Sequence, residues 1–398
     1  MKNKFLISLP YIYPVCPISI DHARMFVVAD INARMQRKKG KEVCFPIAAH
    51  FSGVTAEKAC ELLNKKISKD EEGYTEKEKM YNIFLKVYQT PDSIIRAFKT
   101  PEDILNYYSY QTIWNLKEIN VSCDYENFYT TNTEEFETFV KVMFEFYEKH
   151  KILILNSKNE LALNYDDEEW KEKTLENFKK IDFIQSFHKP NFIGAFDNIR
   201  SDWGLLRMGI KYNEKYIIDP MFDSELFTLF DLYMKFRKDN ESKNVYDIFE
   251  KVFEKLNKDE IEENNDLPSK IVNWMGTDLF VCEEHLKTWV VKKTYAETLL
   301  LKPRYHTKKY FITGMGSINH QRMSSSRGTA VLLKDMIENY GNHNARLIIL
   351  MTGGHPSKLY NYDVNLPSTV MDMTKNFKEY INESRFIYYC IFGTDGSL

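Results

Sequence analysis

Two short segments gather side chains that suit anionic groups. The first is Pro17-Ile18-Ser19-Ile20-Asp21-His22-Ala23-Arg24, which follows the apolar run KFLISL and opens a helical pattern over 21–38 that Gly40 stops. An imidazole in the first turn of such a helix can donate to phosphate, because the free N–H groups and the macrodipole there favour negative charge. Asp21, in the same turn, has two readings: a helix cap that points outward, or a carboxylate that repels phosphate. The second segment is Gln321-Arg322-Met323-Ser324-Ser325-Ser326-Arg327-Gly328, about 300 residues further on. Its two guanidinium groups can each grip a phosphate bidentately, although Arg327 reads equally well as a solvated loop residue.

Regular elements must hold these segments. Residues 4–9 read as a buried strand bounded by Pro10, and 42–48 (EVCFPIA) as a second one. Strand, loop, helix and strand make a parallel βαβ unit, with its ligand end at the strand's carboxyl end and the helix N-terminus. Helices are expected over 75–88, 101–117 and, amphipathically, 134–149, with mixed short structure over 153–163. Residues 168–180 read as a charged, solvated helix. A helix from 243 is expected to run into an exposed acidic loop over 258–270. A second α/β region begins near 272, with a strand at 308–314, a helix at 329–340 and a mainly helical tail over 344–398. The pattern predicts an α/β fold with a doubly wound parallel sheet. There is no internal repeat and no low-complexity tract.

The bulk composition narrows the class. Of 398 residues 43% are hydrophobic, 14% aromatic and 28% charged, as in a soluble globular protein. Lys and Arg number 54 against 57 Asp and Glu, a formal charge of −3, so any nucleic-acid surface must be a local basic patch. Six scattered cysteines form no CxxC pair, which argues against a zinc ribbon or a disulfide framework and fits a reducing compartment. The basic, apolar N-terminus superficially resembles a signal peptide. Pro10 and Pro14 interrupt it and no small-residue cleavage site follows, so a buried first strand is the better reading. No apolar run approaches ~20 residues, and a cytoplasmic, non-membrane protein is expected.

The two segments resemble the HIGH and KMSKS signatures of class I aminoacyl-tRNA synthetases, and the leucyl enzymes of archaeal and eukaryotic cytosolic type in particular. Gly314 and Asn319 resemble the Gly and Asn that precede the second signature. Further landmarks lie between. Tyr11-Ile12-Tyr13 resembles the aromatic-Pro-Tyr of the leucine pocket, and Phe45–His50 (FPIAAH) the segment that sets a histidine beside the substrate amino group. FYTTN at 128–132 resembles the lead into the family's editing insertion, and Leu163-Asn164-Tyr165 with Glu168-Glu169-Trp170 the way out. Trp203 and Arg207, Asp223-Ser224, Gly276-x-Asp278 with His285-Leu286, and His343–Leu347 (HNARL) resemble later family motifs.

The resemblance implies a role for each match. His22 stands for the second signature histidine and Ser19, a shorter neutral donor, for the first. Asp21 replaces a glycine over which adenine lies. Arg322 stands for the first loop lysine and Ser325 for the second, the main transition-state cation, with Arg327 as a substitute. Gly276, Asp278, His285 and Met323 would approach ATP, Asp278 through the ribose hydroxyls. Tyr11, Tyr13, His50 and Asp223 would line the amino-acid pocket. The implied reaction is ATP-dependent activation of an apolar, leucine-like amino acid, with magnesium, and transfer to a tRNA acceptor end, a carrier protein or a small acceptor; no DNA partner and no bound metal site are implied.

In chain order the resemblance divides the sequence into a first catalytic half (1–132), a shortened connective insertion without editing domain (133–215), a second catalytic half (216–345) and a short helical tail (346–398). Two other functions stay open beside the enzyme. One is a catalytically weakened binding or regulatory module, which Ser19, Asp21 and Ser325 favour; the other is the catalytic half of a split synthetase.

Overall fold

The computed structural model describes residues 4–51, 54–69, 72–184, 189–199, 204–213, 216–218, 220–239, 244–258, 265–276, 278–286, 288–318, 320–323, 329–352, 360–363 and 365–380. Two compact units alternate along the chain. A sheet unit comprises Met1–Tyr11, Lys39–Ser52 and Asp124–Ile312; a helical unit comprises Ile12–Lys38, Gly53–Cys123 and Thr313–Leu398. The units cross the chain-order divisions at 132, 215 and 345.

In the sheet unit five strands lie in the order Glu42–Cys44, Lys4–Ser8, Asp278–Cys282, Lys309–Thr313, Asp182–Phe183. Lys4–Ser8 runs parallel to both neighbours, with Leu6 opposite Cys44 and Ile7 opposite Asp278. Lys309–Thr313 runs parallel to Asp182–Phe183. The order reverses between Lys4–Ser8 and Asp278–Cys282, and open α/β sheets hold ligands beyond the carboxyl ends of strands at such a point. The expected doubly wound α/β sheet is present. The strand expected over 42–48 is broken in two, because Pro46 has no N–H to give a ladder. Ala48–Ala49 resumes it and pairs in parallel with Tyr129–Thr130.

Aromatic packing supports the sheet. Helix Glu134–Lys149 buries Phe136, Phe139, Val140, Met143 and Tyr147 on one face, and Thr133 caps it by accepting from the Phe136 N–H. Phe136 meets Phe230 at 4.9 Å between ring centroids, and Phe139 meets Phe249 at 4.7 Å. Each such side chain contributes about 1.5–3 kcal/mol on burial. An antiparallel hairpin, Leu153–Leu155 with Leu161–Leu163, follows the helix.

Two elements differ from the sequence reading. Helix Glu168–Lys180 is not solvated all round: Trp170, Thr174 and Phe178, spaced four apart on one face, are buried, and the Trp170 indole donates to the Tyr295 carbonyl. The acidic stretch near 266 does not continue as an exposed loop, since Asp266 caps a short buried helix, Leu267–Val272, through the Ser269 N–H. Residues 259–264 of that stretch lie outside the described residues.

In the helical unit, Ile20–Lys38 packs against Asn342–Met351. Arg346, from the HNARL segment, pairs with Asp30 at 2.5 Å, and both are buried. Burial alone would raise the Asp30 carboxyl, but Arg346, Arg34 and Ser122 together hold it below the usual range. The expected helices appear as Tyr74–Asn82 with a π-helical turn over Ile83–Val87, Pro101–Glu118, Leu333–Tyr340 and, in the tail, Asn342–Met351 and Leu366–Tyr380. Thr100 and Asp103 close a capping box on Pro101–Glu118. Among the described residues no helix is long and apolar enough to cross a membrane.

Candidate functional site

In the sheet unit, the strands on either side of the order reversal deliver Tyr11 and His285, each three residues past its strand's carboxyl end. The Tyr11 ring stacks on His50 at 5.7 Å between centroids and packs against Phe227 at 4.8 Å. His50 Nε2 lies 3.0 and 3.1 Å from the two carboxylate oxygens of Asp223, which is wholly buried. Tyr11, His50 and Asp223 therefore converge, although 212 positions separate the first from the last (223 − 11). The same knot contains Tyr129, which the FYTTN motif marked only as the lead into an insertion, and Asp231, which no motif marked. The Tyr11 hydroxyl is 2.7 Å from that of Tyr129, which donates to Asp231 at 2.8 Å. Burial pushes the Asp231 carboxyl up to about 8; the Tyr129 hydrogen bond opposes this and Asp124 adds to it.

The Asp223-Ser224-Glu225 turn is fixed on both sides. The Trp289 indole donates to the Ser224 carbonyl at 3.0 Å, and the Tyr147 hydroxyl donates to buried Glu225 at 2.6 Å. His285 Nδ1 accepts from the Cys282 N–H at 3.1 Å, which leaves Nε2 as the protonated nitrogen of the neutral ring. Gly276 and Asp278 lie at the start of the strand that leads to His285. Asp278 is the first residue of its strand and lies opposite Ile7 of the neighbouring parallel strand. Burial raises its carboxyl to about 6, against the pull of Lys309, Lys41 and Lys308.

In the helical unit the two signature segments are stitched together. Backbone bonds run from the Ile20 N–H to the Val331 carbonyl at 3.0 Å and from the Leu333 N–H to the Ile18 carbonyl at 2.9 Å. Ser19 Oγ lies 3.0 Å from Nδ1 of His22; the serine is buried and the histidine exposed. Asp21 accepts from the Tyr360 hydroxyl and from the Gly316 N–H, so its carboxylate faces a partner and is not an outward cap. Burial raises this carboxyl, against Tyr360, His22 and Arg24.

Met323 joins the same knot. Its N–H donates to the Gly316 carbonyl at 3.1 Å. A Cβ at Gly316 would overlap the Met323 methyl and meet the Tyr360 ring at 2.5 Å, which explains the glycine. Tyr360 carried no sequence signal, since it acts through a strand pairing of Gly316 with Tyr360, 44 residues apart (360 − 316). Arg322 is exposed on the short strand Gln321–Arg322. Ser325, Arg327, Trp203 and Asn319 lie outside the described residues. Tyr13 belongs to this unit, where its hydroxyl accepts from the Ala56 N–H at 3.3 Å and burial raises its pKa.

Comparison with solved structures places this architecture in a class. A Mycobacterium tuberculosis methionyl-tRNA synthetase in complex with methionyl-adenylate superposes with a TM-score of 0.62 at 12% identity, covering 96% of this chain and 72% of that one. A second structure of that synthetase bound by methionyl-adenylate gives 0.58 at 10% identity. The fold is that of the class I aminoacyl-tRNA synthetases. Within that class the sequence is homologous to leucine–tRNA ligases: it is 31% identical to that of Archaeoglobus fulgidus over 140 residues, and 30% identical to leucine–tRNA ligase 2 of Sulfolobus acidocaldarius over 139. Each match covers 35% of this chain and only 14% of the relative's length. No family model matches the chain.

Proposed function

We propose that the chain activates an apolar, leucine-like amino acid with ATP to form an aminoacyl adenylate. The convergence of Tyr11, His50 and Asp223 beyond the carboxyl ends of the sheet, in a homologue of leucine–tRNA ligases, carries this reading. In the reaction an amino-acid carboxylate oxygen bonds to the α-phosphorus of ATP, the bond from that phosphorus to the bridging oxygen breaks, and pyrophosphate leaves. Little covalent work falls to the protein; it must position the reactants and supply donors to the phosphate oxygens.

Asp223 offers the substrate ammonium a buried acceptor, oriented by His50. Tyr11 and Phe227 supply the apolar wall. When the Ser19 hydroxyl donates to Nδ1 of His22, the His22 Nε2–H is free to donate to phosphate. Arg322, with Arg327, supplies positive charge. Among the described residues no three His, Cys, Asp or Glu side chains are grouped to hold a metal. Magnesium would therefore arrive on the triphosphate, which is its common mode. The acyl acceptor is a tRNA end, a carrier thiol or a small amine in a cytoplasmic setting. The helix and hairpin between Thr133 and Leu163 leave this stretch too short for a separate editing core, so no proofreading is proposed.

A second reading, a binding or regulatory module, draws on the buried Asp21 carboxylate and on Ser19 and Ser325 where the family's cationic groups stand. ATP–pyrophosphate exchange across the amino acids separates the two. Adenylate formation expects exchange with leucine or another branched apolar amino acid. No exchange with any amino acid, together with no ATP binding by calorimetry, rules it out.

A further inference from the structure

Asp231 is an unexpected side chain for its place. It lies on helix Thr228–Phe236, is only 4% exposed, and sits in aromatic surroundings, where the Tyr129 ring meets that of Phe230 at 4.9 Å. The groups that act on its carboxyl are Tyr129 and the like-charged Asp124, with no cation among them. A buried carboxyl is costly unless it is hydrogen-bonded, and a packed apolar residue would serve folding alone at least as well. What the carboxyl does hold is the Tyr129 hydroxyl, at 2.8 Å.

That bond sets a direction. Burial raises the Tyr11 and Tyr129 phenols well above their ordinary range, so each keeps its single proton. Tyr129 gives its proton to Asp231. In the 2.7 Å contact between the two hydroxyls, Tyr11 is therefore the donor. The chain runs one way, from Tyr11 through Tyr129 to Asp231, and leaves Tyr11 with no hydroxyl proton for a ligand. It also ties together the parts that frame the Tyr11 ring. Tyr129 meets that ring edge-on at 5.9 Å and stands opposite Ala48, in the strand that leads into His50. The Asp231 N–H donates to the Phe227 carbonyl at 3.0 Å, and the Phe227 ring packs against Tyr11.

We infer that Tyr129 and Asp231 are positioning residues of the amino-acid cluster: they fix the Tyr11 ring and commit its proton, so that the cluster selects an apolar side chain over a polar one of the same shape. The inference rests on the adenylate-forming reading. Asparagine is the telling comparison, because its amide has the branched shape of the leucine side chain. An amide carbonyl beside Tyr11 would meet an acceptor where it needs a donor, and an unmet buried acceptor weakens binding. Losing either downstream partner releases the Tyr11 proton. In Tyr129→Phe its acceptor is gone. In Asp231→Leu the Tyr129 hydroxyl has lost its own acceptor and turns to donate to Tyr11.

The test is ATP–pyrophosphate exchange with leucine and with asparagine on wild type, Tyr129→Phe, Asp231→Leu and Asp231→Asn. The control is Tyr246→Phe, whose hydroxyl bonds to Glu145 elsewhere in the sheet unit. Tyr129→Phe and Asp231→Leu should each raise the KM for leucine and lower the leucine-over-asparagine preference in kcat/KM by about threefold to tenfold, the effect of one hydrogen bond. The kcat for leucine should stay within about twofold. Asp231→Asn keeps an acceptor oxygen and should recover most of the preference, and the control should match wild type. Tyrosine ζ-carbon NMR reads the chain without catalysis. The Tyr11 signal, assigned by its loss in Tyr11→Phe, should move in Tyr129→Phe and Asp231→Leu and return toward wild type in Asp231→Asn. Unchanged KM and preference in an active chain, an equal loss in the control, or a Tyr11 signal indifferent to Asp231→Leu would overturn the inference and leave adenylate formation standing. A wild type without exchange sinks the adenylate reading instead. Leucine affinity by calorimetry in the same variants then decides, and no leucine binding overturns the inference as well.

Discussion

The two candidate regions, one in each unit, are built on different principles. In the sheet unit, half-buried recognition groups are interlocked with buried ones: His50 on Asp223, Tyr11 on Tyr129, Tyr129 on Asp231. In the helical unit the phosphate-facing groups, His22 and Arg322, are exposed, and serines stand where the family resemblance expects a histidine and a lysine. Burial explains the contrast. Removing the hydrogen-bond partner of a buried carboxylate costs about 1–3 kcal/mol, whereas a change at an exposed residue typically costs within about 0.5 kcal/mol. The cluster of the sheet unit is thus locked by folding, while exposed positions of the helical unit are free to lose charge.

Breaking the locked side should have the largest effect. His50→Ala is expected to destabilise the fold by about 1–3 kcal/mol, read by urea unfolding, with His50→Gln recovering part of it; an unchanged midpoint for His50→Ala would mean that the hydrogen bond does not lock the cluster. On the phosphate side, Ser325→Lys returns a cation to the developing pyrophosphate charge and should raise exchange on the order of 10²-fold with little change in stability. A drop in melting temperature without a gain in rate would erase the distinction between the regions.

Gly316→Ala probes a packed position of the helical unit. Its Cβ collides with Met323 and Tyr360, and overpacking of this kind costs about 1–3 kcal/mol. Met323→Ala in the same chain should relieve part of that cost in thermal unfolding, and no relief would show that the close approach is not the cause.

A different kind of expected effect is a pH trend from Asp231. Its folded-state pKa of about 8 lies above the unfolded carboxylate value of about 3.9. The folded chain therefore holds a proton that the unfolded chain has released, and this group's contribution to stability, full below about pH 4, declines as pH rises toward 8. Asp231→Asn cannot titrate, so its stability relative to wild type should improve steadily from pH 5 to pH 8. A constant difference across that range would place the Asp231 pKa near its ordinary value.

How much of this was legible in the sequence depended on the reach of each contact. The first strand, the helix from residue 20 and the 134–149 helix announced themselves through local periodicity and stops. Tyr11, His50 and Asp223 were marked by motif likeness. Asp231 and Tyr360 were not, and Tyr129 only as the lead into an insertion, because each earns its place through tertiary partners: residues 11, 129 and 231 meet only once the chain is folded. The strand Asp278–Cys282 was readable from its buried apolar run, Leu279-Phe280-Val281. Trp170 was hidden among charges that cover the other faces of its helix.

The most direct measurement is leucine-dependent ATP–pyrophosphate exchange, run side by side on the wild-type chain and on His22→Ala. Adenylate formation at this site predicts exchange by wild type and a loss of about 10²-fold or more in His22→Ala, with thermal stability preserved because the imidazole is exposed. No exchange by either protein with leucine or any other amino acid, or equal exchange by both, would contradict it.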